Sequence, residues 1–351
     1  MTTEHININF DVQTLVSVVN QEKYYKPAMF LAKKFFPLGN VSYGLRATVE
    51  KTNKTARIAP YINPDIAVTP IQKDTRSLTD HPIPNVGPMV ELNYKDFFAR
   101  QAGVARGLST DPRTGNIFQE KIAEETAKLV EIIQRTIEYR AAGVLLTGTL
   151  VVSGEGISYT IDFGRNANNA VTLSGDDLFT ADTANPIMLL DKIADQISRD
   201  NGGLRPTEVI FGPGAAFQAF VNNPNVIAKL DLRRGNFGNF EPRRVEPKVV
   251  YLGEAMGLNY WKYTEYDVDG SPLIPATSCV LDSEGNGNHL HYGAITDNDI
   301  IKQYNGAIAL PYFVKSWNQQ NPNKDCLQVL SSPFIAQHEP DSTGVVQVVA
   351  S

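Results

Sequence analysis

His289 and His291 stand two residues apart, a spacing that puts both imidazoles on one side of a strand. Two such rings could supply half of a zinc site, with Asp282 and Glu284 nearby in the chain to complete it. No His-Glu-x-x-His pattern accompanies them, and the Asn286–Gly287 turn fits a plain surface hairpin equally well. Cys279 and Cys326 have no Cys-x-x-Cys partner, so they are expected to pack as small buried hydrophobes. Asp297, Asn298 and Asp299 lack the alternating oxygen ligands and closing glutamate of a calcium loop.

Covalent and nucleotide chemistry find no support. There is no Gly-x-Ser-x-Gly elbow to expose a nucleophilic serine. There is no Gly-Lys-Ser/Thr phosphate loop, and Gly154 with Gly156, or Gly235 with Gly238, lack dinucleotide-cradle spacing. The densest charge feature is Lys229, Asp231, Arg233 and Arg234, followed by Arg243, Arg244 and Lys248. Asp231, Glu241 and Glu246 offset half of its positive charge. Salt bridges between subunits fit that mixture better than phosphate contacts, and a solvated loop is the plain alternative. Asp74 and Arg76 form a smaller mixed pair.

These residues need elements to hold them. The 351 residues suggest about two domains. Lysine plus arginine total 32 against 38 aspartates and glutamates, and a net charge of −6 disfavours a dedicated nucleic-acid binder. The N-terminus, MTTEHININFDV, has neither the basic nor the apolar region of a secretory signal. The charge-free run Ala141–Gly154 is too short for a membrane span. A cytoplasmic protein is expected.

Residues 1–40 hold two short amphipathic pieces, Val12–Val19 and Ala28–Phe36, the second stopped by Pro37. The second reads either as a helix on the chain's own core or as an arm that packs Phe30, Phe35 and Phe36 on a neighbour. Residues 41–95 are strand-like at their ends and proline-rich between, which predicts an extended hairpin reaching from the body. Apolar residues at Phe118, Ile122, Leu129, Ile133 and Ile137 predict a long helix over 116–140, with Gly143 at its end. Ile157–Phe163 alternates in period 2, and with a turn at Asn166–Asn169 and a return at Ala170–Leu173 it predicts a hairpin. From 185 to 310 helices and strands alternate, beginning with a helix that starts at Asn185–Pro186. The class is α+β. Arm, ribbon and long rod reach beyond any core they could build alone, which is the profile of a shell subunit.

Several blocks carry a resemblance. They are Ile161–Asn169 (IDFGRNANN) with Thr172–Gly175 (TLSG), and Lys229–Gly235 (KLDLRRG). Phe30–Phe36 (FLAKKFF), Ser331–Phe334 (SSPF), Glu339–Asp341 (EPD) and Val345–Val349 (VVQVV) support them. Together they run along nearly the whole chain. The chain resembles the major capsid (head) proteins of phage lambda and related tailed phages.

The resemblance implies the Hong Kong 97-type capsid fold. Residues 1–40 would be the N-terminal arm and 41–95 the extended loop. Residues 96–184 would be the peripheral domain, with spine helix 116–140 and a β-hairpin. Residues 185–310 would be the axial domain, and 311–351 would return as strands to the peripheral domain. The function implied is a structural, non-enzymatic subunit without cofactor or metal, assembling into hexamers and pentamers of an icosahedral head around double-stranded DNA. Its partners would be further copies of itself, a separate scaffold protein and the portal; a decoration protein and covalent crosslinks are left open. Assembly would take place in the bacterial host cytoplasm, with no membrane contact, and the product would be the virion. Asp74, Arg76, Asp231, Arg233, Arg234, Arg243 and Arg244 are the charged interface candidates, beside Phe30, Phe35 and Phe36. Two other readings stand next to this one: an encapsulin-type cellular compartment, and a surface-acting hydrolase or carbohydrate-binding protein built on the histidine pair.

Overall fold

The computed structural model describes residues 29–39, 44–53, 75–92, 113–154, 156–201, 204–231, 238–239, 242–304, 306, 308–320 and 323–350. In chain order the first elements are α1 (Phe30–Phe35), β1 (Arg46–Asn53), β2 (Thr75–Pro82), β3 (Met89–Leu92), α2 (Arg113–Thr147), β4 (Thr149–Gly154), β5 (Ile157–Asp162) and β6 (Ala170–Thr172). The middle holds α3 (Pro186–Asp200), β7 (Glu208–Phe211), α4 (Ala215–Asn222), α5 (Pro224–Asp231), β8 (Gly238–Asn239), β9 (Arg243–Glu246), β10 (Val249–Ala255), β11 (Leu258–Tyr263), β12 (Ser278–Asp282) and β13 (His289–Tyr292). The chain closes with α6 (Asn298–Tyr304), β14 (Phe313–Gln320), β15 (Asn323–Leu330), β16 (Pro333–Ala336) and β17 (Gly344–Gln347). Among the described residues no helix is long and apolar enough to cross a membrane.

The organising layer is an eight-stranded mixed sheet. Its order is β6-β17-β12-β7-β11-β10-β8, with β9 also paired to β10. Both faces are covered. Ile210, Val249, Tyr263 and Val280 face a core shared with α1 and α2. Val209, Phe211, Tyr260, Cys279 and Leu281 face a second core shared with α3, α4 and α5. Successive strand residues point to opposite faces, so a strand buried on both sides must be apolar throughout. That is why the VIF and CVL stretches of β7 and β12 are apolar, with buried Glu208, Ser278 and Asp282 confined to the strand ends. Both thiols are buried, as their lack of partners predicts.

The helix α2 forms for the predicted reason but runs further. Ile122, Leu129, Ile133, Ile137, Ala141, Val144 and Leu145 make its buried stripe. Lys128 pairs with Glu124 at 2.7 Å, and Arg135 with Glu131 at 3.6 Å, on the solvent side. Its 35 residues make a rod of about 52 Å. Gly143 does not stop it, because Val144 and Leu145 continue the stripe. The stop is Gly148, at φ +70°, whose N–H reaches the Val144 carbonyl at 2.8 Å. Arg165 then folds back over this end. Its guanidinium donates to the carbonyls of Val144 (2.8 Å), Leu145 (2.8 Å) and Leu146 (3.2 Å).

The same turn corrects the predicted hairpin. The chain leaves Gly148 directly into β4, so β5 pairs antiparallel with β4 and not with residues 170–173. Beyond Arg165, the Asn166 N–H bonds an Asp341 carboxylate oxygen at 2.6 Å. The following strand, β6, is steered parallel to β17. The large sheet therefore crosses the boundaries expected at 184/185 and 310/311. Its last strand, β17, comes from the C-terminus and lies between β6 and β12. Strands β14 and β15 form a smaller sheet with β3, and β16 pairs with β13.

Candidate assembly surface

The structure separates the expected interface residues. Phe30, Phe35 and Phe36 are 7%, 0% and 1% exposed, inside the chain's own core. Phe30 packs 5.2 Å from Trp261 and 5.9 Å from Tyr263 between ring centroids. This corrects their placement among the interface candidates, because a side chain already buried in its own subunit has no surface left for a neighbour. Lys34 of α1 adds an ion pair to Glu208 at 3.4 Å and lies 4.7 Å over the Trp261 ring. Val12–Val19, Asp74, Arg233 and Arg234 lie outside the described residues. The backbone of Arg76 sits in β2 opposite Thr52, and that of Asp231 ends α5. Arg243 and Arg244 are exposed on β9. Arg243 lies 5.3 Å over the Tyr251 ring, and Arg244 donates to the Pro247 carbonyl.

Other surfaces come into view that spacing alone did not reveal. Strands β1 and β2 pair with each other, from Arg46↔Pro82 to Asn53↔Thr75, and with no third strand among the described residues. A two-stranded ribbon is marginal in water and leaves both backbone edges unpaired. Leu78 on it is 68% exposed. The ion pair of Arg46 with Asp80, at 2.5 Å, is exposed and contributes little. The ribbon is fixed at its root. The Ile83 N–H bonds the Leu45 carbonyl at 3.0 Å, Tyr159 Oη donates to the Pro82 carbonyl at 2.9 Å, and Val86 bridges to Ser331. Ile83 also packs on Gly293, where an added Cβ would fall 2.6 Å from its Cδ1.

A cleft of about 550 Å³ opens beside α2, and a groove of about 390 Å³ adjoins it; both are lined by Tyr139, Asp267 and Leu273. Exposed Tyr139, Val151, Val245 and Tyr266 stand along these walls. At the floor of the larger cleft is Glu138, 2% exposed. Its carboxylate accepts from the N–H groups of Leu31 (2.8 Å) and Ala32 (3.0 Å) and from Tyr263 Oη (2.6 Å). Burial pushes its pKa up to about 7.

The phage major capsid protein E model matches residues 11–348 of this sequence. The chain belongs to that family. It is a structural capsid protein of a phage. Among solved structures it is similar to a protein described as a prophage capsid protein of Escherichia coli CFT073, at 17% identity and a TM-score of 0.72 over 98% of this chain and 100% of that one. A phage-related protein of Bordetella bronchiseptica RB50 gives 12% identity and a TM-score of 0.55, over 95% and 96% of the two chains. The mature capsid of bacteriophage PhiM1 gives 11% and 0.53, over 92% and 88%. These likenesses show the fold, the Hong Kong 97-type capsid fold. No curated protein matches by sequence.

The histidine pair takes its place in this capsid protein as follows. His289 and His291 do share one side of β13, and His338 joins them, with ring centroids 5.7–5.9 Å apart. Asp282 does not complete a metal site. It is fully buried and bonds the Ser283 N–H and the Asn286 amide. Glu284 is drawn to Lys34, at 3.5 Å. Among the described residues no group of three or more His, Cys, Asp or Glu has a metal-holding arrangement.

Proposed function

We propose that this capsid protein builds an icosahedral head of hexamers and pentamers around double-stranded DNA, assembling in the bacterial cytoplasm with a scaffold protein and a portal. The observation that supports assembly most directly is the β1–β2 ribbon, which pairs with no third strand among the described residues. Residues 41–95 then serve as the extended loop, α2 as the spine of a peripheral domain, and 185–310 as an axial domain. Arg76, Arg243 and Arg244, with Asp74, Asp231, Arg233 and Arg234, remain charged contacts between copies. Net acidity suits a container, since an inner wall that gripped phosphates would hinder DNA entry and exit.

Electron microscopy of particles assembled from the purified chain with its scaffold tests this reading. Closed shells holding DNA after packaging are expected, and shells that hold a cargo protein instead would indicate a cellular compartment. A ribbon deletion tests the loop. Removing residues 47–81 joins Arg46 to Pro82, which are already paired, and keeps the Ile83 and Val86 anchors. The expected product is a folded subunit that unfolds cooperatively, loses only the strand signal of the ribbon and forms no shells. Closed shells from this variant would overturn the loop assignment.

A further inference from the structure

The spine helix carries one carboxylate on its inward side that belongs to none of its surface pairs. Glu138 has the uncharged Gln134 and Ala142 as i±4 neighbours, and the Gln134 amide donates to Tyr312 Oη. Glu138 reaches instead to two other elements. Two of its bonds are to N–H groups of the first turn of α1, and the third is to Tyr263 at the end of β11. Beyond these bonds α1 is held by apolar packing and by Lys34, which pairs with Glu208 and Glu284 and lies over the Trp261 ring. The carboxylate therefore sits where α1 joins the body, among the residues that line the larger cleft.

We propose that Glu138 is a proton-operated latch that sets how firmly α1 docks on the spine helix. Docking is tightest with Glu138 protonated and loosens when it ionises.

The sign follows from linkage. A docked α1 removes the carboxylate from water, and an undocked one returns it to solvent. Burial is the largest influence on Glu138 and raises its pKa from 4.5 to about 7, while the three hydrogen bonds pull it down without cancelling the rise. The docked state thus binds the proton more tightly than the open state, so docking weakens as pH rises from about 4.5 to about 7 and then levels off.

Other charges face the same place. Glu265 lies close enough to push Glu138 upward, but Lys248 pairs with it at 2.5 Å. Lys33 of α1, Arg135 and Glu131 of α2, and Glu246 and Asp267 line the cleft. Tyr263 stays protonated throughout the neutral range, because burial raises its pKa. No histidine is among the described residues that line this cleft.

Hydrogen–deuterium exchange of residues 29–36 in the full-length, unassembled chain tests the latch, with protection factors corrected for the intrinsic pH effect. Protection should fall by up to tenfold per pH unit between pH 5 and 7, and change little from pH 7.5 to 8.5. Glu138→Gln should remove that slope while keeping α1 docked. Tyr263→Phe removes a bond to the ionised form and should move the midpoint to higher pH. It also serves if Glu138→Gln does not fold. A flat wild-type profile would overturn the proposal. So would a Glu138→Gln profile with the wild-type slope, or an unmoved midpoint in Tyr263→Phe. The measurement needs no shell, so its outcome is independent of the assembly reading.

Discussion

At the scale of single residues, a few buried polar groups tie the fold together. Arg165 is the clearest case. It caps three carbonyls at the end of α2, and burial lowers its pKa only to about 10, so it stays charged. The acids that face it are Asp282 and Asp341. Replacing it by Met leaves the helix end and Asp282 uncompensated. Arg165→Met should cost about 3 kcal/mol, read as a lowered urea midpoint of the unassembled subunit. A loss under about 0.5 kcal/mol would mean that water satisfies this end. The block IDFGRNANN contains Arg165 and was legible as a signature. Its role was not, because the three carbonyls lie about 20 residues earlier in the chain. The phenylalanines of FLAKKFF were legible as apolar, yet no pattern in seven residues says whose core they enter.

At the scale of elements, the two faces of α2 have different jobs. Ile137 is fully buried, whereas Ile132, five residues away, is 49% exposed. Ile137→Ala opens a cavity in the core and should cost about 2–5 kcal/mol. Ile132→Ala should leave stability within about 0.5 kcal/mol, because it removes no buried contact. If Ile132 is covered by a neighbouring copy, this variant folds normally but assembles more slowly, which light scattering would show. Equal destabilisation by both variants would contradict the burial of the two faces. The helix itself was readable because its period is local. The partner of β5 was not: alternation predicts a strand, and any strand of matching pattern satisfies it. Gly148 decided the matter by aiming β4 alongside.

At the scale of the whole molecule, two buried acids set the response to pH. Burial raises Asp282 from 3.8 to about 7, as it raises Glu138. Each favours the folded state while protonated, and that advantage is lost as pH climbs from about 4 to about 7. The unassembled subunit should therefore be more stable to urea at pH 5 than at pH 8, by a few kcal/mol, since each pKa unit corresponds to about 1.4 kcal/mol. Combining Glu138→Gln with Asp282→Asn should flatten the profile. A wild-type subunit that is most stable at pH 8 would show that other groups dominate.

The histidine pair shows how far spacing reaches. It placed two rings on one side of a strand, but could not supply His338, 47 residues on, nor say that Asp282 turns inward. By itself the sequence determined what depends on near neighbours: the α+β class, the stripe of the long helix, the start of α3 at Asn185–Pro186, the alternation of helices and strands from 185 to 310, and the family. Tertiary structure decided what depends on distant parts meeting. It put β17 between β6 and β12, buried Phe30, Phe35 and Phe36 in their own subunit, and brought Glu138 to the backbone of α1. The physical reason is range. Periodicity and capping act over a few residues, whereas these contacts join residues more than 60 apart, and only the packed core selects among the pairings that local pattern allows.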